Sequence, residues 1–172
     1  DDGAILVAGA TRYRRILAGA LSPRWYGVVY GATVGQDATF AKALDASGTA
    51  KRGLPILVDG SIYLGVDTTI PAGASMCFTP AGRFVSGVTG IVLTFQAGSR
   101  IGGDIFQGFG GGVQPKFAPG HPEPRLSWMG GSTGDDRLNR LAKCSDSKVA
   151  VILDDSVWVS TNITFNAGLE LD

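Results

Sequence analysis

Ile56 to Gly73 reads ILVDGSIYLGVDTTIPAG, and Val151 to Gly168 reads VILDDSVWVSTNITFNAG. The two stretches are one unit written twice. Ninety-five positions separate Asp59, Ser61, Thr69, Ala72 and Gly73 from Asp154, Ser156, Thr164, Ala167 and Gly168. Apolar positions match as well: Leu57 with Ile152, Ile62 with Val157, Tyr63 with Trp158, Leu64 with Val159, Ile70 with Phe165. Upstream, a strip slipped by three sets Asp37, Phe40, Ala43, Leu44 and Ser47 against Asp135, Leu138, Leu141, Ala142 and Ser145. Such self-similarity marks a duplicated supersecondary unit. It is commoner in scaffolds than in compact single-site enzymes, and the two units are expected to superpose.

Local pattern sets the fold class. Ala4 to Ala8 and Tyr13 to Leu17, around Gly9, suit an opening hairpin. Pro23-Arg24-Trp25-Tyr26-Gly27 makes a turn. Asp37 is placed to cap a helix whose Phe40, Ala43 and Leu44 share a face, ending near Ser47-Gly48. Gly53 to Leu64 alternates in strand fashion across Asp59-Gly60, a strong turn dipeptide. Short apolar runs then recur every eight to twelve residues between glycine turns, among them Ser75 to Phe78, Phe84-Val85, Gly90 to Phe95 and Asp104-Ile105-Phe106. With 26 glycines in 172 residues, about twice the usual share of roughly 7%, the chain suits many tight turns. The expected class is mainly β: short-stranded β-helix-like or sandwich units, each with a short capping helix.

The expected organisation is a first β unit over residues 1–112 with its helix near 37–47, a Gly/Pro linker over 113–124, and a second, truncated unit over 125–172 with its helix near 135–144. Pro115, Pro119, Pro122 and Pro124 after Gly110-Gly111-Gly112 motivate the linker. The second unit is expected to repeat a turn at Trp128-Met129-Gly130, a strand pair from Lys148 to Val159 and a closing strand from Asn162 to Phe165. The abrupt start at Asp1-Asp2-Gly3 and the stop at Leu171-Asp172 suggest an excised fragment.

With 15 basic and 15 acidic residues, there is no electrostatic reason to expect nucleic acid as partner. No run approaches the roughly 20 apolar residues that span a bilayer, so no membrane insertion is expected. Cys77 and Cys144 are the only cysteines and His121 the only histidine. Two reduced thiols are expected, with no metal and no cofactor.

Each candidate for chemistry has a structural competitor. Asp135-Asp136 and Asp154-Asp155 offer the paired carboxylates of a glycosidase. Asp135, however, matches the helix-capping Asp37, and Asp154 matches the turn residue Asp59. Arg12-Tyr13-Arg14-Arg15 reads as a solvated strand face or a contact to a partner chain or glycan. Gly108-Phe109-Gly110-Gly111-Gly112-Val113 lacks the full phosphate-loop pattern and its lysine. Serine catalysis would need a histidine, and His121 lies among prolines with no nucleophile-elbow motif nearby. Trp128 and Trp158 could stack on sugars, although Trp25 pairs with Trp128 and Tyr63 with Trp158 under the repeat, which favours core roles. No catalytic residue is nominated.

The order Tyr13-Arg14-Arg15, Trp25-Tyr26-Gly27, Gly35-Gln36-Asp37, a short helix, Leu54-Pro55 to Tyr63-Leu64 and Thr69-Ile70-Pro71-Ala72-Gly73 resembles a known family. It looks like the opening segment of pectate-lyase-like right-handed β-helices in bacteriophage tailspike and tail-fibre proteins. Val28 stands where that family has alanine, and Asp59-Gly60-Ser61-Ile62-Tyr63 stands for its proline-glycine-threonine-tyrosine element. Trp128-Met129-Gly130-Gly131 and Gly134-Asp135-Asp136 play the matching parts in the second unit. Ile91 to Phe95 and Asp104 to Gly108 resemble the link that precedes the tryptophan motif. The resemblance implies a structural, N-proximal part of a virion tail, serving assembly and host-cell attachment. It also implies a homotrimer, contacts with other virion tail proteins and, for some members, with bacterial surface polysaccharide. Ile91, Leu93, Phe95, Ile105 and Phe106 are the residues nominated for the trimer interface. The alternatives are a fragment of a polysaccharide depolymerase using Asp154 or Asp155, and a carbohydrate-binding module using Trp128 and Trp158.

Overall fold

A computed structural model describes residues 5–8, 11–14, 19–47, 53–121, 123–144, 150–156, 158–162 and 170–171. The chain is mainly β. The backbone opens with an antiparallel hairpin of β1 (Ile5–Ala8) and β2 (Thr11–Arg14). Ala4, Gly9, Arg15 to Leu17 and the side chains of the Arg12 cluster lie outside what is described. A 3-10 turn (Pro23–Tyr26) follows, and then helix α1 (Asp37–Ser47). Phe40, Ala43 and Leu44 of α1 are buried as their spacing predicts.

The remaining strands are short and pair in parallel. One sheet is built from β3 (Ile56–Val58), β6 (Ser75–Phe78) and β9 (Arg100–Gly103). A second joins β4 (Ser61–Tyr63) to β7 (Arg83–Val85), and a third joins β5 (Thr68–Ile70), β8 (Ile91–Phe95) and β10 (Val113–Phe117). Ile56 faces Met76, which faces Ile101; Ile70 faces Phe95, which faces Phe117. The chain therefore returns to each sheet after about 20 to 25 residues, a period met in repeat architectures. Inward positions alternate with half-exposed ones, as in Ile91, Leu93 and Phe95 against Val92 and Thr94. Rings contact one another in series: Phe40 with Phe84, Phe84 with Phe78, Phe78 with Phe109, Phe109 with Phe117 and Phe117 with Trp128. Centroid spacings of 5.3–6.2 Å and mostly edge-on geometry suit aromatic packing.

After a second 3-10 turn (Leu126–Trp128) comes α2 (Gly134–Ala142), then β11 (Ala150–Val151) and β12 (Glu170–Leu171). Here the 95-position offset recurs in the strand pairing. Val151 pairs in parallel with Leu171 as Ile56 pairs with Met76, both partners displaced by the same 95 positions. A bridge also joins each return to the segment ahead of its 3-10 turn, Ile56 of β3 with Leu21, and Ile152, just after β11, with Arg125. Leu141 and Ala142 are fully buried and Leu138 packs against the core.

Two expectations are corrected. Residues 113–124 are not a structureless linker, because 113–117 form β10, with Val113, Pro115 and Phe117 buried. Pro115 fits because β10 lies at the edge of its sheet, where a missing N–H breaks no ladder between two neighbours. Asp59-Gly60 turns the chain without pairing its flanks: β3 and β4 leave it for different sheets. Gly60 is needed for close approach, since a Cβ there would sit 2.5 Å from the Tyr30 ring. Of the strand pair expected from Lys148 to Val159, β11 and the Ile152 bridge are the strand structure among the described residues. Gly48, Ser145, Lys148, Val157, residues 163–165 of the closing strand, Thr164, Phe165, Ala167 and Gly168 lie outside them.

Candidate functional site

The aspartates nominated from the sequence all have partners. Asp37, the first residue of α1, accepts the Gly65 amide at 3.0–3.1 Å and the Val66 amide at 3.3 Å. Asp135, in the first turn of α2, accepts the Ser160 amide at 2.9 Å and the Ser160 hydroxyl at 2.6 Å. It does not cap its own helix. That role belongs to Thr133, whose hydroxyl accepts the Asp136 amide. Asp136 instead accepts the Ser132 hydroxyl at 2.8 Å. Asp154 accepts the amide and hydroxyl of Ser127 at 2.8 and 2.7 Å, and Asp155 meets the Arg137 guanidinium at 2.8 Å. The Asp59 carboxylate lies beside the Tyr30 hydroxyl; burial, reinforced by that carboxylate, pushes Tyr30 well above its usual range.

Neither adjacent pair converges on one site. The Ser160 hydroxyl holds Asp135 below the ordinary carboxylate range, the Ser132 hydroxyl does the same for Asp136, and the hydrogen bond from Arg137 does so for Asp155. A glycosidase acid needs the opposite shift.

The aromatics separate. Trp128 is 9% exposed and stands edge-on to Phe117, so it offers no face to a sugar. Trp158 is 94% exposed, which corrects the core role that the repeat suggested for it. Its counterpart Tyr63 lies in β4 beneath β7, with its hydroxyl accepting the Gly87 amide at 2.6 Å. The interface nomination is corrected too. Ile91, Leu93, Phe95 and Ile105 are buried inside this chain by the strands that stack on β8 and by the aromatic series, and only Phe106, 53% exposed, faces out.

Sequence reasoning missed one close pair. Ser99 Oγ lies 3.2 Å from His121 Nε2, the histidine falling one pass further along the chain, in step with the pairing of Phe95 and Phe117. That register is the signal that could have found it. The pair is not arranged for nucleophilic attack, because both groups point at the Gln96 carbonyl: Ser99 Oγ donates to it at 2.8 Å and His121 Nε2 lies 2.9 Å away. A base would have to accept from the serine.

A polar concavity flanks α2. A cleft of about 340 Å³ is lined by Arg83, Gln107, Ser132, Asp136, Arg140 and the backbone of Gly110-Gly111 and Gly130-Gly131. A second, of about 290 Å³, lies across Arg140 and reaches Asn139, Lys143 and Gln114. The Arg140 guanidinium between them donates to the Gly111 and Val113 carbonyls, while Gln114 Nε2 donates back to the Arg140 carbonyl at 2.9 Å. Burial lowers the Arg140 pKa. Glycines keep the floor open, and two guanidinium groups, side-chain amides, hydroxyls and the Asp136 carboxylate line the walls, a mixed donor and acceptor set suited to a hydroxylated ligand. The glycine run was visible in the sequence, but Arg83 of β7 and Arg140 of α2 come to it only through the tertiary fold.

Among the described residues, no group of three His, Cys, Asp or Glu side chains could hold a metal ion, and no helix is long and apolar enough to cross a membrane. Comparison with protein-family models, curated proteins and solved structures found no match to this chain.

Proposed function

We propose that this chain is a structural, N-proximal part of a bacteriophage tailspike or tail fibre, serving virion assembly and host-cell attachment as a homotrimer in the virion tail. In this reading the three parallel sheets are the faces of a β-helix, and α1 covers strand edges that would otherwise be bare. The observation that carries it is the repeated unit: 3-10 turn, helix, return strand and parallel partner, twice, in the motif order of such opening segments. Neighbouring tail proteins would supply its other contacts. Sedimentation equilibrium tests the assembly, with a species of three chains expected and a monomer at micromolar concentration counting against it. Incubation with bacterial capsule or lipopolysaccharide, followed by reducing-end and unsaturated-uronate assays, tests the structural role. Cleavage by this chain alone would replace the reading with that of a depolymerase.

A second reading, direct contact with bacterial surface polysaccharide, is favoured by one observation: Trp158 presents nearly its whole surface to solvent. Indole faces stack on sugar rings at little entropic cost because the side chain has few rotamers. Glycan-array binding that Trp158→Ala abolishes would support it.

A further inference from the structure

Beyond Ile152 the chain leaves the core. Val151 is fully buried, and Ile152 is fixed on both sides, its amide donating to Pro124 and its carbonyl accepting from Leu126, each at 2.9 Å. Past that anchor, residues 153–156 and 158–162 are all exposed, including Leu153, Trp158 and Val159. Burial of apolar surface therefore contributes little to holding this segment in place. Among the described residues, three carboxylates hold it between the Ile152 anchor and β12, which pairs with β11. Asp154 receives two hydrogen bonds from Ser127, with Arg125 at 3.8 Å; Asp155 pairs with Arg137; Asp135 of α2 receives two hydrogen bonds from Ser160. Arg137 is itself braced, its Nε donating to the Met129 carbonyl and its Nη2 to that of Leu126.

We infer that residues 153–156 and 158–162 form a strap, fastened to α2 and the second 3-10 turn by carboxylate hydrogen bonds, that loss of carboxylate charge releases while the stacked strands stay folded. Trp158 rides on this strap, so its display depends on the fastening. A charged acceptor binds its donors more strongly than a neutral one, and with so little burial behind them these bonds decide whether the segment is held. Among the described residues, each fastener faces identifiable groups. Asp135 faces Ser160 and Thr161, Asp155 faces Arg137 and the Ser156 amide, and Asp154 faces Arg125 and Ser127. Asp136, next to Asp135, is turned to Ser132 and Thr133 and is felt by Arg140. Asp135 and Asp155 are held below their unfolded value of about 3.9. Their contribution is thus complete above that pH and is lost as pH falls through the folded value, which sets the release window below about pH 4.

Amide hydrogen exchange on the whole chain tests this, with protection at Ser156 and Ser160 read against Phe84 and Arg100, whose amides bond within the stacked strands. Between pH 6 and pH 3 the strap amides should lose at least tenfold protection relative to the core amides. The double variant Asp135→Asn/Asp155→Asn should show that loss already at pH 6. Unchanged strap protection at pH 3 or in the variant would overturn the inference. So would strap and core amides opening together, which would make them one cooperative unit. If the variant does not fold, the wild-type series decides, because the core amides serve as its internal reference.

Discussion

Asp37 and Asp135 make the same contact in two places. Each carboxylate stands in the first turn of a helix and accepts the amide of a residue beyond the following return strand, Gly65 in one unit and Ser160 in the other. Gly65 and Ser160 are related by the 95-position offset that relates Asp59 to Asp154. The duplicated unit is therefore a fastened one: helix and outgoing chain are tied by a charged acceptor, so the helix is oriented by the segment that follows it. An aspartate at the helix start also complements the helix dipole, which adds to the preference for that residue there.

Asp37→Ala should lower stability by about 1.5 to 3 kcal/mol, the range for hydrogen bonds to a charged group. Two amides, those of Gly65 and Val66, lose their acceptor. Asp37→Asn should cost less, since one oxygen remains to accept. Urea midpoints measure both, and equal stability of all three proteins would show that the fastening is incidental.

Leu141 is fully buried and Leu138 only partly so. Leu141→Asp should cost at least about 3 kcal/mol, because an unpaired charge would be forced into an apolar setting. Leu138→Asp should cost markedly less. A loss under about 0.5 kcal/mol at Leu141, the range of ordinary surface changes, would remove α2 from the core.

Both helices were legible in the sequence because the i, i+3, i+4 spacing of Phe40, Ala43 and Leu44 is a local signal. Strand positions were legible for the same reason, from alternation. Pairing was not. Alternation says which side chains face inward, not which strand lies alongside, so Asp59-Gly60 read as a turn with nothing to show that the chain was passing between sheets. The 95-position repeat spans several passes and hides the shorter return of about 20 to 25 residues. Passes share only apolar alternation, as Ile70, Phe95 and Phe117 do. That is also why Ser99 with His121, and Arg83 with Arg140, came together unannounced. Leu93 and Phe95 were nominated as an interface because sequence alone cannot distinguish a face covered by the next pass from one left for a partner.

Gly82 and Gly102 should respond oppositely to alanine. A Cβ at Gly82 would lie 1.9 Å from the Val58 carbonyl oxygen, a backbone atom that cannot swing aside. Gly82→Ala should therefore cost roughly 2 kcal/mol or more through forced backbone shifts. Nothing lies within 4 Å of a Cβ at Gly102, so Gly102→Ala should be neutral or stabilise by up to about 1 kcal/mol by restricting the unfolded chain. Thermal melts of the two variants would separate the cases, and equal behaviour would refute the close approach of β3 and Gly82.

The thiols should react unequally. Cys144 is fully buried and burial pushes its pKa up to about 12, so almost no thiolate exists at pH 8. Cys77 is only half-buried. An aromatic disulfide reagent should titrate one thiol in the native protein and two in denaturant. Two equivalents reacting together under native conditions would show that the Cys144 site opens.

Trp128 and Trp158 test the register of the whole fold, because sequence similarity treats both as recurrent aromatics and the structure treats them in opposite ways. Trp128 is enclosed against Phe117 at the end of the aromatic series, so Trp128→Ala should leave a cavity and cost about 3 to 5 kcal/mol. Trp158 is almost wholly in solvent, so Trp158→Ala should change stability by less than about 0.5 kcal/mol. The emission of the two variants discriminates further. Removing Trp158 should take away the red-shifted, readily iodide-quenched component, and removing Trp128 the shielded one. If Trp158→Ala instead destabilises the protein by several kcal/mol, its indole is packed as Tyr63 is beneath β7, and the strap is part of the folded core.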